Sequence, residues 1–371
     1  MFPMMMRHEA MKIRSILFIL WVLLVSVLLI PSTNAEELSS GVHQIYTVSD
    51  LRAIARDPGG RYQLMNDIDL AGEDWLPIPF SGVLVGGGHV LYNLTIRQPG
   101  IETSPGRDGN LKEYSLQLAG FFSEMNNAAV MNLGITGADV SIEADSHCFA
   151  AILCGKADHS TVTNVSVRGR VSLINHGIMT GVGGIAGYGN GSFEQCTVLA
   201  QLTLEDRQFQ QRCEQFMGGI LACGIGNVSG CAVDLSGYDS CHGYVHNGGL
   251  IGMYYHCGQE VSSGKIMHNT VTGIIHFFED NRDRRAYCEA VIGEKLTKPV
   301  KMSDNLTRFT RDETRKTDKV LQAEKCETPT MEETVIQPEN GHWGWTLHRC
   351  TICGNTWSDQ YTPPAYLEEG N

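Results

Sequence analysis

The chain is short of charge, of basic residues in particular, and of aromatic rings. Of its 371 residues, 19% are charged and 8% aromatic, and 28 Lys and Arg stand against 41 Asp and Glu, a formal net charge of −13. The shortage of basic residues excludes a nucleic-acid binder that works through phosphate contacts. Low charge combined with 42% hydrophobic residues excludes a disordered chain, whose composition runs the other way. After residue 30 no apolar run is long enough to span a bilayer, which takes about 20 residues, and the C-terminus lacks the apolar tail of a sorting signal. No HExxH, GxSxG or P-loop sequence occurs, so none of these catalytic signatures is present.

What is present begins with an export signal. Arg7, Lys12 and Arg14 precede an unbroken apolar run from Ile16 to Ile30, followed by Pro31 and the small residues Ser32, Thr33 and Ala35. Thr33 and Ala35 sit where a signal peptidase needs small side chains, so residues 1–35 read as a cleaved signal peptide; an uncleaved anchor is the alternative. The expected location is extracellular or at the cell surface, with no membrane span after cleavage. All 12 Cys lie beyond this segment, in a compartment that permits disulfides.

The 41 glycines are not scattered. A Gly-apolar segment recurs as AGFFSE from Ala119, AAILCG from Ala150, GGIAGY from Gly183, GGILAC from Gly218 and GGLIGM from Gly248. About a dozen residues after each comes a second anchor: VMNLGI from Val130, VTNVSV from Val162, FEQCTV from Phe193, VSGCAV from Val228 and IMHNTV from Ile266. LYNLTI from Leu91 fits the same frame. Apolar residues at offsets 3 and 5 of the anchor alternate as a strand does. The polar residue at offset 2 (Asn93, Asn132, Asn164, Gln195) marks a bend, where Asn can bond its counterpart one repeat away. Repeats of about 30 residues with short strands and Gly turns predict a solenoid stacked through parallel strands. Leu94, Leu133, Val165, Cys196 and Cys231 should then form one ladder, and Ile96, Ile135, Val167, Val198, Val233 and Val271 another. β-Branched residues and frequent Gly disfavour a helical repeat.

The segments GGIAGYGNGSFEQCTVLAQL and GGILACGIGNVSGCAVDL resemble the GLUG motif of bacterial surface proteins. Upstream, YTVSDLRAIARDPGGRYQLMNDIDLAGEDWLPI and FSGVLVGGGHVLYNLTI resemble the module that often precedes GLUG repeats. The resemblance covers residues 43 to 275. It implies an all-β fold, a right-handed parallel β-helix, and an extracellular, often adhesive role. AAILCG departs from the Gly-Gly opening, and His268-Asn269 stand where Asn-Cys is expected, so the last repeat should be irregular.

The ends need closure, because open strand edges aggregate. SDLRAIAR reads as a short capping helix with Ser49 as N-cap and Leu51, Ile54 and Ala55 as its apolar face. The domains are then 1–35 signal peptide, 36–98 N-terminal cap module, 99–305 repeats, 306–325 charged linker and 326–371 a small tail. AYCEAVIGE from Ala286 can add one more strand. Insertions at 99–114, 205–216 and 236–246 would decorate one face. The tail contains Cys350-x-x-Cys353-Gly, a knuckle turn at which two thiolates can reach one metal. With Cys326 and His342, or His348 in its place, these residues make a zinc-ribbon-like site for one structural zinc; a disulfide and a redox pair are the alternatives. The stretch also resembles small Cys-x-x-Cys-Gly modules near the ends of secreted bacterial surface proteins.

Asp67 and Asp69 share a strand face and could be paired catalytic carboxylates, or could shape the turns of the N-terminal module. With Glu73 and Asp74 they lack regular calcium-ligand spacing. Cys241, His242, Tyr244, His246, Tyr254, Tyr255, His256 and Cys257 cluster around the Gly248 segment as a metal or sugar site, or as ordinary packing. Cys196 and Cys231 are close enough in the frame for a disulfide, but fit better as stacked free thiols. The sequence predicts a non-enzymatic adhesion or interaction module for a host or cell-surface protein or glycan, with a polysaccharide lyase or hydrolase, and a passive spacer, as alternatives.

Overall fold

The structure is a computed structural model in which residues 41–101, 106–107, 113–114, 116–144, 147–175, 179–206, 214–240, 244–254, 264–279, 286–295, 300–315, 331–337, 344–350 and 356–362 are described. The chain divides into two units, Met1–His43 and Gln44–Asn371; of the first, only residues 41–43 are described.

The second unit is all-β with parallel sheets. Each repeat gives one strand to a seven-stranded sheet and further strands to a twenty-stranded sheet. The seven-stranded sheet stacks Gln117–Ala119, Cys148–Ala151, Met179–Gly183, Glu214–Gly218, Tyr244–Gly248 and Ala286–Glu289 in parallel. In the larger sheet, Phe122, Cys154, Ala186, Leu221, Ile251 and Ile292 lie side by side, strand after strand. Further along, Ile135, Val167, Val198, Val233 and Val271 form the expected ladder, all buried. The alternation of inward apolar and outward polar residues sets this register, since a one-residue slip would turn every core side chain to solvent.

The Gly-Gly segments join the two sheets. A Cβ on Gly218 would lie 2.1 Å from the Leu221 carbonyl oxygen, and one on Gly219 would lie 2.4 Å from the Gly249 oxygen. Gly183, Gly184, Gly248 and Gly249 are equally confined. The second copy corrects the alignment read from sequence. Ala151 pairs with Gly183, not Gly184, and Ile152 takes the place opposite Gly184, donating its N–H to the Gly184 carbonyl at 3.1 Å.

The offset-2 residues are bends with a left-handed backbone. Asn132, Asn164, Gln195, Gly230, His268 and Asp304 have φ of 54°, 51°, 54°, 63°, 57° and 55°. Asn tolerates this region best after Gly, and Asn164 Nδ2 donates to Asn132 Oδ1 at 2.8 Å. The next residue turns inward; it is apolar at Leu133 and Val165, and in the four later repeats it bonds across the break in the ladder. Cys196 Sγ donates to the Val162 carbonyl at 3.5 Å, and Cys231 Sγ to that of Phe193 at 3.5 Å. Asn269 Nδ2 donates to the Val228 carbonyl at 3.0 Å, and Asn305 Nδ2 to that of Ile266 at 3.0 Å. The same side chains accept from the preceding repeat: the Cys231 N–H donates to Asn269 Oδ1 at 2.9 Å, and the Asn269 N–H to Asn305 Oδ1 at 3.2 Å. The expected irregularity at His268-Asn269 is therefore absent, because Asn269 replaces Cys in the same hydrogen-bonding role.

Two other expectations change. The stretch read as a linker from residue 306 carries a strand, Leu306–Arg315, in parallel register with Thr270–Glu279. Its charge density is compatible with a strand because Arg308 and Arg311 face outward while Phe309 packs on the core. Leu91 does not start a copy in the predicted frame: it pairs with Ile135, and Ile96 pairs with Val140. The Gly86–Gly88 turn occupies the place beside the Asn132 bend, and the Asn93 bend (φ 58°) moves beside Gly137 (φ 70°).

At the N-terminal side a six-residue helix, Val48–Ala53, continues as one 3-10 turn, Ile54–Arg56. Its cap is Thr47, not Ser49: the Thr47 hydroxyl accepts from the Asp50 N–H and the Asp50 carboxylate accepts from the Thr47 N–H. Leu51 and Ile54 are buried, whereas Ala55 is exposed. Trp75 anchors this module to the first repeat. It stacks on Phe121 at 4.7 Å, and its Nε1 donates to the Phe121 carbonyl at 2.8 Å. Beyond the repeats, Met331–Ile336, Gly344–Cys350 and Thr356–Thr362 form a three-stranded antiparallel sheet.

Asp139 ties module and repeats together by accepting from Arg97 and, at 2.7 Å, from Arg170. Burial disfavours its charge, but the two guanidinium groups outweigh burial and hold the carboxyl at about 2. A depressed carboxyl pKa stabilises above the unfolded value of about 3.9. Stability should therefore fall by about 1 kcal/mol, discounted for partial exposure, as pH drops from about 4 to 2. Urea unfolding across that range should show this slope in the wild type and a shallower one in Asp139→Asn. The inward asparagine gives a second expectation. Asn269→Ala leaves a buried carbonyl and N–H unpaired and should cost about 2–3 kcal/mol, while Asn164→Gly, at an exposed left-handed bend, should cost less than about 0.5 kcal/mol. Urea titrations of both variants check the difference.

Candidate functional site

The strands of the larger sheet kink once between the Gly-Gly segments and the Asn bends. Asn127 (φ 52°) and His159 (φ 47°) bend in adjacent repeats, and Gly189 (φ 130°), which pairs with Ala157, lies beside Gly224 (φ 147°) in the next two. Beside these bends lies a cleft of about 180 Å³ lined by His159, Thr161, Asn190, Ser192, Asn227 and Tyr254. One wall carries His159 and Asn190, whose Nε2 and Nδ2 lie 3.5 Å apart. The other carries Thr161, Ser192 and Asn227, adjacent in register. These three alternate with the fully buried Val162, Phe193 and Val228, which points them outward.

The floor is backbone. A Cβ on Gly226 would lie 2.2 Å from the Gly191 carbonyl oxygen, and one on Gly264 would meet the Tyr254 hydroxyl at 1.9 Å. Ser160 lies beneath, its hydroxyl spent on the Asp158 carbonyl and the Ala128 N–H. Tyr254 closes one end. Burial pushes its phenol up, with the backbone at Gly226 and Gly264 opposing, so the hydroxyl stays protonated. Hydroxyls, amides and an imidazole over an open backbone floor make a surface for exchanging hydrogen bonds with a polar ligand.

The residues singled out in the sequence fall in several places. Asp67 Oδ1 accepts from the Val90 N–H at 3.0 Å and lies 3.2 Å from His89 Nδ1. Asp69 Oδ1 accepts from the Ala71 N–H and from Asn93 Nδ2, bonds that lower its pKa. Both carboxylates thus do turn chemistry. Of the cluster around Gly248, Tyr254 reaches the cleft, Tyr244 is exposed, and His246 is buried elsewhere, stacked between Phe216 and Tyr287 at 5.2 and 5.7 Å. Burial lowers the His246 pKa to about 4, and its Nδ1 lies 2.7 Å from Glu294 Oε2. Burial and Glu294 together raise Glu214. Cys241, His242, Tyr255, His256 and Cys257 lie outside the described residues.

For the expected zinc site, Cys326, His342 and Cys353 lie outside the described residues, while His348 and Cys350 are on the strand Gly344–Cys350. Among the described residues no group of three or more His, Cys, Asp or Glu side chains is placed to hold a metal ion. Cys196 and Cys231 are buried free thiols. Burial also raises the Cys148 and Cys154 thiols, which makes them poor nucleophiles. Of the predicted insertions, 205–216 and 236–246 are shorter than read, because strands run to Asp206 and Asp239 and resume at Glu214 and Tyr244. No helix among the described residues is long and apolar enough to cross a membrane.

No protein-family model matches the chain, and no curated protein does. Solved structures do. One, provisionally described as an immunoglobulin A1 protease from Bacteroides ovatus, superposes with a TM-score of 0.50 at 16% identity, over 74% of this chain and 78% of that one. Another, described as IgA1 protease, gives a TM-score of 0.40 at 13% identity, over 70% of this chain and 21% of that one. The first likeness is one of backbone path, and it places the chain beside another protein of the same general fold.

Proposed function

We propose that the protein is an exported, non-enzymatic interaction module of the cell surface, a right-handed parallel β-helix of the GLUG kind that binds a glycan in the cleft. The cleft carries this reading. Three successive repeats supply it with outward hydroxyl and amide groups, and Gly191, Gly226 and Gly264 complete its lining. A hydroxyl-rich ligand pairs with such a surface, whereas an apolar one would leave its polar groups without partners. Export is supported by the basic start, the apolar run Ile16–Ile30 and the small residues before Ala35. The β-helix is supported by parallel pairing carried from repeat to repeat in one register.

Binding of the purified protein to a panel of surface glycans and matrix proteins tests the proposal. Saturable binding to a glycan at micromolar concentration is expected, weakened about tenfold or more in Ser192→Trp, which fills the cleft from an outward position. Absence of saturable glycan binding, or binding indifferent to Ser192→Trp, would sink it.

A further inference from the structure

The polar row that lines the cleft does not stop at its edge. Thr161, Ser192 and Asn227 are followed in the next two repeats by Lys265 and Lys301, which pair with each other in parallel register. The Lys265 N–H donates to Asn227 Oδ1 at 3.0 Å, which places the first lysine directly beside the cleft wall. Ile266, the next residue, is fully buried, and both lysines are exposed. They therefore share the outward face of the row, one strand spacing of about 4.8 Å apart.

This arrangement is unfavourable by itself. Like charges directly opposite in a sheet repel, and a chain of net charge −13 has carboxylates to spare for pairing. Yet neither lysine makes an ion pair among the described residues. Past Thr161 the row continues in register to Ala129 and Val83, while Glu194, two residues along the strand from Ser192, accepts from the Ser192 hydroxyl at 3.4 Å. Along the stacking direction the track therefore runs from neutral hydroxyls and an amide to two unneutralised cations.

We infer that the ligand is an acidic glycan, whose neutral hydroxyls lie on Thr161, Ser192 and Asn227 and whose carboxylate or sulfate groups lie on Lys265 and Lys301. The inference rests on the cleft being a glycan site. Carboxylate and sulfate offer the lysines the same anionic oxygens, and two such charge-assisted contacts provide selectivity over a neutral sugar.

The test compares a galactose pentamer, a galacturonate pentamer and a sulfated galactose pentamer, by calorimetry at low and high NaCl. It uses the wild-type protein, the double variant Lys265→Gln/Lys301→Gln, and Ser192→Trp. Circular dichroism checks folding, which substitutions at exposed positions should leave intact. The wild type should bind at least one anionic pentamer about tenfold or more tighter than the neutral one, with the advantage shrinking as salt rises. The tighter of the two anionic pentamers identifies uronate or sulfate as the source. The double variant should lose the advantage and keep the neutral affinity, and Ser192→Trp should weaken all three. Equal binding of neutral and anionic pentamers, or an anionic preference that survives the double variant, overturns the inference while leaving the cleft as a glycan site. No binding of any pentamer, or binding indifferent to Ser192→Trp, overturns both.

Discussion

Stacking in this protein depends on a backbone bend that recurs from repeat to repeat and, from Cys196 onward, on the polar side chain that follows it. A left-handed residue turns the strand and takes a carbonyl and an N–H out of the ladder. Left alone, those groups would be buried without partners, at about 1–3 kcal/mol each. Cys196, Cys231, Asn269 and Asn305 turn inward at the next position and bond the groups of the preceding repeat. Thiol and amide thus perform one task, with asparagine the stronger donor and acceptor in the last repeats. The Gly-Gly segments impose a second constraint, because carbonyl oxygens lie where a Cβ would stand.

The cleft follows from this regularity. Because parallel pairing carries from repeat to repeat, small polar residues at equivalent positions become a continuous surface. The same logic extends the row to Lys265 and Lys301, so ligand selectivity would be written along the stacking direction rather than within one repeat. The stack of Phe149, Phe216, His246 and Tyr287 is a different structure: burial disfavours the charged form of the imidazole, which has rings packed on both sides and whose Nδ1 lies beside Glu294.

Much of the architecture was legible from the sequence because it obeys short periods. The Val167–Val198–Val233–Val271 ladder and the bends at Asn132, Asn164 and Gln195 could be read directly from spacing. The misreadings arose where two residue types satisfy one physical demand. His268-Asn269 looked irregular because an amide stood in for a thiol. Leu91 looked like a first copy because LYNLTI carries the same pattern, whereas the Gly86–Gly88 turn already occupied that place in the stack. Ser49 and Thr47 both fit an N-cap by residue type, and the Thr-x-x-Asp spacing marks Thr47. The cleft was harder still. Thr161, Ser192 and Asn227 are each one residue before an anchor and individually ordinary; only their adjacency in register makes them a surface. Of the described residues in the cluster around Gly248, Tyr254 lies at the cleft.

Register is what the whole account rests on, and a pair of cysteine substitutions reads it directly. Thr161 and Ser192 are partners on adjacent parallel strands, both facing outward, at a separation a disulfide can bridge. Thr161→Cys/Ser192→Cys should oxidise to a disulfide within one chain, identified by peptide mass mapping, while Thr161→Cys/Glu194→Cys, displaced by two residues, should not. Cross-linking of the second pair, or failure of the first, would mean that the repeats do not stack as described and that the cleft does not exist in this form.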